Sequence, residues 1–262
     1  MPFHGLRDRV RDDVVVATCA MIPSPTVIEA LSGTGFHAVL IDAEHSPIAI
    51  DTLEHLVRAA DVAPIPAIVR VPEVGSYIAR ALDLGAAGLI VPRIETVEEA
   101  REVVDRARYA PEGRRGTGPG RGSAYGAAMV DHVARANGEI LVGIQIETAL
   151  GLANADDILA VPGIDVVVIG PFDLATSLGV AMGSPEHQAA IGTIRDTAKR
   201  HGVAYGAFTI ADAEVAPYLA DGATLLMVGA DIMSVVAGAR ASWAGVEQQL
   251  ATRGAREEVA AR

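Results

Sequence analysis

The stretch "VLIDAEHSP", residues 39–47, begins as an apolar β-strand and ends in a cluster of ionisable side chains. The three apolar residues at its start are typical of a strand that is buried on both faces. Asp42, Glu44 and His45 follow within four positions. Polar groups placed in this way are typical of the carboxyl ends of parallel strands, where active-site loops begin. The stretch therefore predicts one strand of a parallel α/β fold, with functional groups at its carboxyl end.

Similar apolar runs recur along the chain and are separated by segments whose apolar residues have helical spacing. The eight candidate strands cover residues 14–20, 37–42, 66–71, 88–93, 140–147, 165–170, 203–208 and 223–229. Strands that are apolar on both faces and alternate with helices predict parallel βα units. Eight such units close into a barrel, so the sequence predicts a single (β/α)8 domain, a TIM barrel, over residues 1–262. A doubly wound open sheet is the alternative.

Composition and charge exclude several classes of partner. The chain has 262 residues, a net charge of −12 and only 4% aromatic residues. An acidic chain lacks the basic surface that a nucleic acid or an anionic membrane requires, so we expect neither partner. Neither a signal peptide nor a membrane-spanning segment is recognisable. Cys19 is the only cysteine, which excludes an internal disulfide and predicts a cytoplasmic protein. Because Cys19 lies in an apolar strand, we expect a buried thiol and not a nucleophile.

The segment 110–126, "APEGRRGTGPGRGSAYG", interrupts the alternation of strands and helices with many glycines and three arginines. A loop of backbone N–H groups with arginine can hold a phosphate, which is one interpretation. The motifs of nucleotide-binding loops are absent, however, so we favour a mobile loop over or beside the active site.

Polar residues also end or follow three more of the candidate strands. They are Arg70 at the end of the third strand, Gln145 and Glu147 at the end of the fifth, and Asp173 after the sixth. Since the carboxyl ends of all barrel strands surround one mouth, these residues are expected to meet Asp42, Glu44 and His45 there. For one residue alone, a solvated position at a loop edge would be the simpler explanation. The recurrence at four strand ends indicates an active site.

These residue types suit enolate chemistry. Glu147 and Asp173 offer oxygen ligands to a hard divalent cation such as Mg²⁺ or Mn²⁺, and no cluster has zinc-ligand spacing. Arg70 presents a planar guanidinium to a carboxylate or to a developing enolate oxygen. His45 is a general base suited to neutral pH. Together these groups predict a site that removes a proton beside a ketone and stabilises the enolate.

Two further residues are expected to lie outside this chemistry. Lys199 is the only lysine in the chain and lies at the end of a helix that leads into the seventh strand, at the opposite end of the barrel. A Schiff-base aldolase needs a lysine within the mouth, so enolate formation here must depend on a metal. His187 follows "GSPE" and is predicted to be a solvated residue at a helix start, with a substrate contact as the alternative.

Six motifs, in order and spacing, resemble one known family over residues 5 to 250. They are "IDAEHSP", "VRVP", "LDLGAAGLIVPRIET", "YAPEGRRGTG", "QIET" and "IGPFDLATSLG". The chain resembles the HpcH/HpaI family of class II aldolases, barrels that act on pyruvate and hydroxy-keto acids. The resemblance implies reversible cleavage of a 4-hydroxy-2-oxo acid to pyruvate and an aldehyde with Mg²⁺, Mn²⁺ or Co²⁺. It also implies a homo-oligomer, typically a hexamer.

The resemblance assigns roles in metal binding and catalysis. Glu147 and Asp173 match the metal-binding carboxylates. Arg70 matches the arginine that contacts the pyruvate carbonyl and steadies the enolate, and His45 matches the base, acting through a water molecule. Asp83 matches an acid that reaches the corresponding histidine of a neighbouring subunit.

The resemblance also assigns residues around these groups. Asp42 and Glu44 match acids that surround the metal-bound waters. Gln145 matches a polar neighbour of the pyruvate oxygens, and the main-chain N–H groups of Phe172 and Asp173 match a cradle for the pyruvate carboxylate. Phe172 is bulkier than the Ala that some members carry, which leaves the shape of the acceptor pocket open.

Two other functions remain as alternatives. A citrate-lyase-like enzyme that cleaves a CoA thioester would share the barrel and the metal-binding acids, but it requires a nucleotide-binding surface. A catalytically silent barrel subunit would lack at least one of the key residues. The natural aldehyde is not determined by the sequence.

Overall fold

The structure is a computed structural model that describes residues 5–260, with side chains described up to residue 253. The predicted barrel is confirmed: eight parallel strands form a closed barrel in the order β1 to β8. The strands are β1 Val15–Ala20, β2 Ala38–Asp42, β3 Ala67–Arg70, β4 Gly88–Val91, β5 Leu141–Gln145, β6 Val166–Ile169, β7 Ala204–Thr209 and β8 Leu225–Ala230. The open-sheet alternative is excluded, because β8 pairs with β1.

Helices surround the barrel and connect its strands. They are α1 Leu6–Asp12, α2 Pro25–Ser32, α3 Ile50–Val62, α4 Tyr77–Asp83, α5 Val97–Ala107, α6 Met129–Glu139, α7 Ala149–Ala153, α8 Ala155–Leu159, α9 Pro171–Leu178, α10 Pro185–His201, α11 Val215–Ala220 and α12 Asp231–Ala260. None of the helices described is both long and apolar enough to cross a lipid bilayer.

Helix ends are set by local capping chemistry. Thr96 and Glu99 form a reciprocal capping box at the start of α5. Ser184 caps α10, Pro185 occupies its first turn, and Gly202 ends it with a positive φ of 68°. These local signals place the helix boundaries, and apolar packing against the barrel stabilises the helices.

The buried residues form two apolar layers. One cluster fills the barrel interior with alternate residues of the strands, including Leu40, Ile68 and Leu141. A second, larger cluster lies between the barrel and its helices and contains the intervening residues such as Val39 and Val69. Because side chains alternate along a strand, the residue two positions beyond an inward-facing one also faces inward. This alternation brings the last residues of β2, β3 and β5 into the mouth.

The Gly- and Arg-rich segment 110–126 lies at the amino-terminal end of the barrel, so its predicted position over or beside the active site is wrong for this chain. Arg115 pairs with Asp83, and Arg121 pairs with Asp61 and donates a hydrogen bond to the Leu84 carbonyl. These partners lie at or just beyond the carboxyl ends of α3 and α4, which face away from the mouth because the helices run antiparallel to the strands. The ion pairs anchor the loop there.

Candidate active site

Asp42 and Arg70 are the inward-facing last residues of neighbouring strands and are register partners across β2 and β3. Arg70 donates from Nε to Oδ1 of Asp42 at 2.9 Å and from Nη2 to Oδ2 at 2.6 Å. Burial opposes ionisation of Asp42, but the hydrogen bonds and charge of Arg70 outweigh it and lower the Asp42 pKa. The sequence prediction that both residues lie in the mouth is confirmed. Their mutual pairing was not predicted.

Glu44 and His45 lie on the turn after β2, and their position depends on Asp42. Their main-chain N–H groups donate to Oδ1 of Asp42 at 3.0 and 3.3 Å. The Glu44 carboxylate lies 3.3 Å from Nε of Arg70 and 3.5 Å from Nε2 of His45. Burial raises the pKa of Glu44, with Arg70 opposing the shift. His45 itself is exposed to the cavity, as a base acting on a bound substrate must be.

Glu147 is a buried carboxylate held from two sides. Gln145 Nε2 donates to its Oε2 at 2.6 Å, and the main-chain N–H of Arg93 donates to its Oε1 at 3.1 Å. Gly170 passes so close that an added Cβ would lie 2.3 Å from Oε2, so no side chain fits there. Burial, together with the charges of Glu44 and Asp173, raises the Glu147 pKa to about 7. A cation bound at this carboxylate would stabilise its ionised form and offset the free-energy cost of burying the negative charge.

Arg93 is a site residue that the sequence analysis missed. It has a φ of 54°, in the left-handed region that non-glycine residues rarely adopt, and this turn directs its N–H toward Glu147. Backbone strain of this kind is concentrated at functional sites. The only signal in the sequence is a polar residue just beyond the fourth strand.

Phe172 and Asp173 lie in the first turn of α9, directly after β6, and both are exposed at the mouth. The N–H groups of a first helical turn lack partners within the helix and favour anions. The carboxylate cradle expected at these two N–H groups stays a prediction.

His187 supports this turn, and its prediction as a solvated residue is wrong. It is only 1% exposed, its Nε2 lies 2.8 Å from the Pro171 carbonyl, and its Nδ1 accepts from Gly183 N–H at 3.1 Å. Since Nδ1 accepts, Nε2 carries the proton and donates to Pro171. The ring thereby connects the start of α10 to the start of α9.

The predicted site residues border one cavity of about 560 Å³ at the carboxyl end of the barrel. The predicted residues that line it are Asp42, His45, Arg70, Gln145, Phe172 and Asp173. Two predicted residues do not line the cavity themselves but contact residues that do: Glu147 accepts a hydrogen bond from Gln145, and Glu44 lies within 3.5 Å of Arg70 and His45. The structure therefore brings eight of the nine predicted residues together.

Asp83 is the exception. It is the last residue of α4, at the opposite end of the barrel, where its carboxylate accepts from Nη2 of Arg115 at 2.7 Å. It cannot reach His45 of its own chain, because the barrel lies between them. Its role toward a neighbouring subunit stays a prediction.

The donor set at Glu147 fits a hard divalent cation. Glu147 and Asp173 are close enough for the charge of Asp173 to raise the Glu147 pKa, and the buried Oε1 of Gln145 has no hydrogen-bond partner in the described structure. Carboxylate and amide oxygens are the ligands that Mg²⁺ and Mn²⁺ prefer. Among the described residues no group of three or more His, Cys, Asp or Glu forms a complete metal site. Water and substrate oxygens would therefore have to complete the coordination.

A closed parallel barrel with paired carboxylates, a buried guanidinium and a histidine around its carboxyl-terminal mouth defines a (β/α)8-barrel enzyme. The chain belongs to the HpcH/HpaI aldolase/citrate lyase family, whose sequence profile matches residues 21–238.

Individual relatives agree with this assignment. The chain is 40% identical to a hydroxypyruvate/pyruvate aldolase of Roseobacter denitrificans, over 88% of this chain and 92% of the relative. It is 38% identical to a 5-keto-4-deoxy-D-glucarate aldolase of Klebsiella pneumoniae, over 82% and 84%. A solved HpcH/HpaI aldolase/citrate lyase family protein of Burkholderia cenocepacia superimposes with a TM-score of 0.87 at 32% identity, covering 93% of this chain and 99% of the other.

Proposed function

We propose that this chain is a class II aldolase that reversibly cleaves a 4-hydroxy-2-oxo acid to pyruvate and an aldehyde. The observation that carries the proposal is the buried Arg70 guanidinium, which lines the cavity together with the exposed imidazole of His45 and the Asp173 carboxylate. This arrangement offers a positive charge to an enolate and a base to a hydroxyl group.

Each residue has a distinct part in the proposed reaction. His45 removes the proton of the C4 hydroxyl, and cleavage of the C3–C4 bond releases the aldehyde. The enolate of pyruvate that remains is stabilised by Arg70, and the N–H groups of Phe172 and Asp173 hold its carboxylate. Asp42 keeps Arg70 in place through two hydrogen bonds. Protonation at C3 then gives pyruvate.

Glu147 and Asp173 are the proposed ligands of a divalent cation, Mg²⁺, Mn²⁺ or Co²⁺. When bound, such a cation supplies Lewis-acid polarisation of the keto oxygen. Hydrogen bonds from the Gln145 side chain and the Arg93 N–H orient the Glu147 carboxylate for binding the cation. The unpartnered Oε1 of Gln145 supports the proposal, because a buried amide oxygen is rarely left without a partner.

A homo-oligomer, a hexamer by resemblance, is part of the proposal. Helix α12 exposes large apolar side chains along its described length, including Ile232, Val235, Trp243, Val246 and Leu250. Exposed apolar side chains on one helix in this number are typical of a subunit interface. A neighbouring subunit would also be needed for Asp83 to act on His45. The cytoplasmic location remains a prediction from the single buried cysteine.

Exchange of the pyruvate methyl protons with deuterated water tests the proposed function. We expect metal-dependent exchange, loss of exchange with EDTA, and a reduction of at least about 100-fold in Arg70→Ala. Arg101→Ala, at an exposed position on α5, is the matched control and should exchange normally. Exchange that persists in EDTA would exclude the metal role. Turnover of a CoA thioester in place of free keto acids would favour the citrate-lyase alternative.

A further inference from the structure

The rim of the mouth is divided into a polar half and an apolar half. The uppermost inward-facing residues of β2, β3 and β5 are Asp42, Arg70 and Gln145, which serve the proposed pyruvate site. The corresponding positions on β1 and β7 are Cys19 and Phe208, and both line the same cavity. Between these two strands β8 contributes Ala230, the register partner of Cys19, which also lines the cavity. Because β7, β8 and β1 are consecutive around the closed barrel, the apolar positions form one wall.

Loops beyond these strands extend the apolar wall. Met21 follows β1, Ile210 follows β7, and Phe172 and Met182 come from the segment after β6. Phe172, Ile210 and Met182 are 65%, 62% and 53% exposed, although large apolar side chains normally avoid water. All three residues line the cavity, so an apolar group bound there would cover their side chains.

Apart from His45, which the proposed reaction uses as its base, the described residues of this chain offer no free positive charge in the cavity to a second anionic group. Arg70 is the only Arg or Lys that lines it in the described part of the chain, and two of its donors are committed to Asp42. His187 uses both ring nitrogens within the protein. The charged groups on the apolar side are the acids Glu214 and Asp221. An aldehyde that carries a carboxylate would therefore lose its hydration without gaining a partner.

We infer that the aldehyde partner of this enzyme is uncharged and carries an apolar alkyl or aryl substituent, which packs against the wall of Met21, Phe172, Met182, Phe208 and Ile210. The inference rests on the proposed aldolase function. In the synthetic direction, pyruvate loses a methyl proton and its C3 forms a bond to the aldehyde carbon, while the aldehyde oxygen gains a proton. The substituent of the aldehyde does not react, so it is free to occupy the apolar half.

A matched pair of aldehydes tests the inference on the wild-type, Mn²⁺-loaded enzyme with pyruvate. Pentanal and succinic semialdehyde have similar lengths and differ chiefly in the terminal carboxylate. We expect kcat/KM to be at least about tenfold higher for pentanal. We also expect kcat/KM to rise about threefold to fourfold per added CH₂ from propanal through butanal to pentanal.

A charge introduced into the wall provides the complementary test. Met182→Arg should invert the preference in favour of succinic semialdehyde, since it supplies the missing cation at a half-exposed position. Val130→Arg, on α6 and 82% exposed, adds the same charge outside the cavity and should keep the pentanal preference.

The outcomes separate the two proposals. Normal exchange of pyruvate protons with equal or higher kcat/KM for succinic semialdehyde in the wild type would overturn the acceptor inference and leave the aldolase function standing. Absence of exchange would overturn the aldolase function and the acceptor inference with it.

Discussion

Arg70 and Asp42 form a two-point hydrogen-bonded ion pair at the carboxyl ends of adjacent strands, with Asp42 fully buried. Burying two charges costs desolvation free energy, which the pair recovers only while both partners are present. The pair therefore has a double purpose. It closes the top of the barrel interior and holds the positively charged Arg70 guanidinium at the point where the proposed enolate forms.

Asp42→Asn should destabilise the protein by about 3–5 kcal/mol, because it leaves a buried guanidinium without its counter-charge. The free energy of unfolding in urea measures this. The pKa of Asp42 lies below its ordinary value of 3.8, so its contribution is present at neutral pH and is lost as pH falls through the acidic range below that value. Glu102→Gln breaks a half-exposed pair with Arg106 and should cost less than about 1 kcal/mol. Equal losses in the two variants would contradict this interpretation.

Glu147→Gln and Asp173→Asn should each weaken Mn²⁺ binding by more than about 100-fold, because each removes a proposed charged ligand. Electron paramagnetic resonance of free Mn²⁺ measures the dissociation constant without relying on activity. Asp157→Asn, at a position on α8 outside the cavity, should bind Mn²⁺ like the wild type. Unchanged affinity in either ligand variant would show that the cation is held elsewhere.

Cys19 should be unreactive in the folded protein. It is 6% exposed, and burial raises its pKa from 9.0 to about 12, so the thiol form dominates below that pH. Alkylation by iodoacetamide at pH 8 should be about 1000-fold slower than in the urea-unfolded chain, and the rate should rise about tenfold per pH unit from 7 to 9. Rapid labelling of the native protein would contradict a buried thiol.

Asp83→Asn and His45→Asn should complement each other if Asp83 acts on His45 of a neighbouring subunit. Each variant alone should be nearly inactive in pyruvate exchange. Hybrid oligomers assembled from equal amounts of both should recover about a quarter of the wild-type activity, since random assembly pairs an intact His45 with an intact Asp83 in that fraction of interfaces. The absence of recovery in verified hybrids would assign Asp83 a role within its own chain, beside Arg115.

The contacts around Glu147 were only partly predictable from the sequence. Polar residues after apolar runs predicted that Gln145, Glu147 and Asp173 would share the mouth; Gln145 and Asp173 line the cavity, and Glu147 accepts a hydrogen bond from Gln145. The N–H that orients Glu147 comes from Arg93, 54 residues away, through a left-handed backbone conformation that no local pattern indicates. The burial of His187 was missed for a similar reason, since its partner Pro171 contacts it only when α9 packs against α10.

The sequence by itself determined the barrel and the end of it that carries the chemistry. Apolar runs of strand length that alternate with helices are typical of a parallel sheet covered by helices on both faces, and eight such units favour closure into a barrel. The two-residue period of a strand decides which residues face inward. The tertiary structure alone decided which side chains meet. Strand register paired Arg70 with Asp42, and the antiparallel course of the helices placed Asp83 and segment 110–126 at the far end. These contacts join residues that are far apart in the sequence. They depend on how whole strands and helices pack, which local sequence patterns do not indicate.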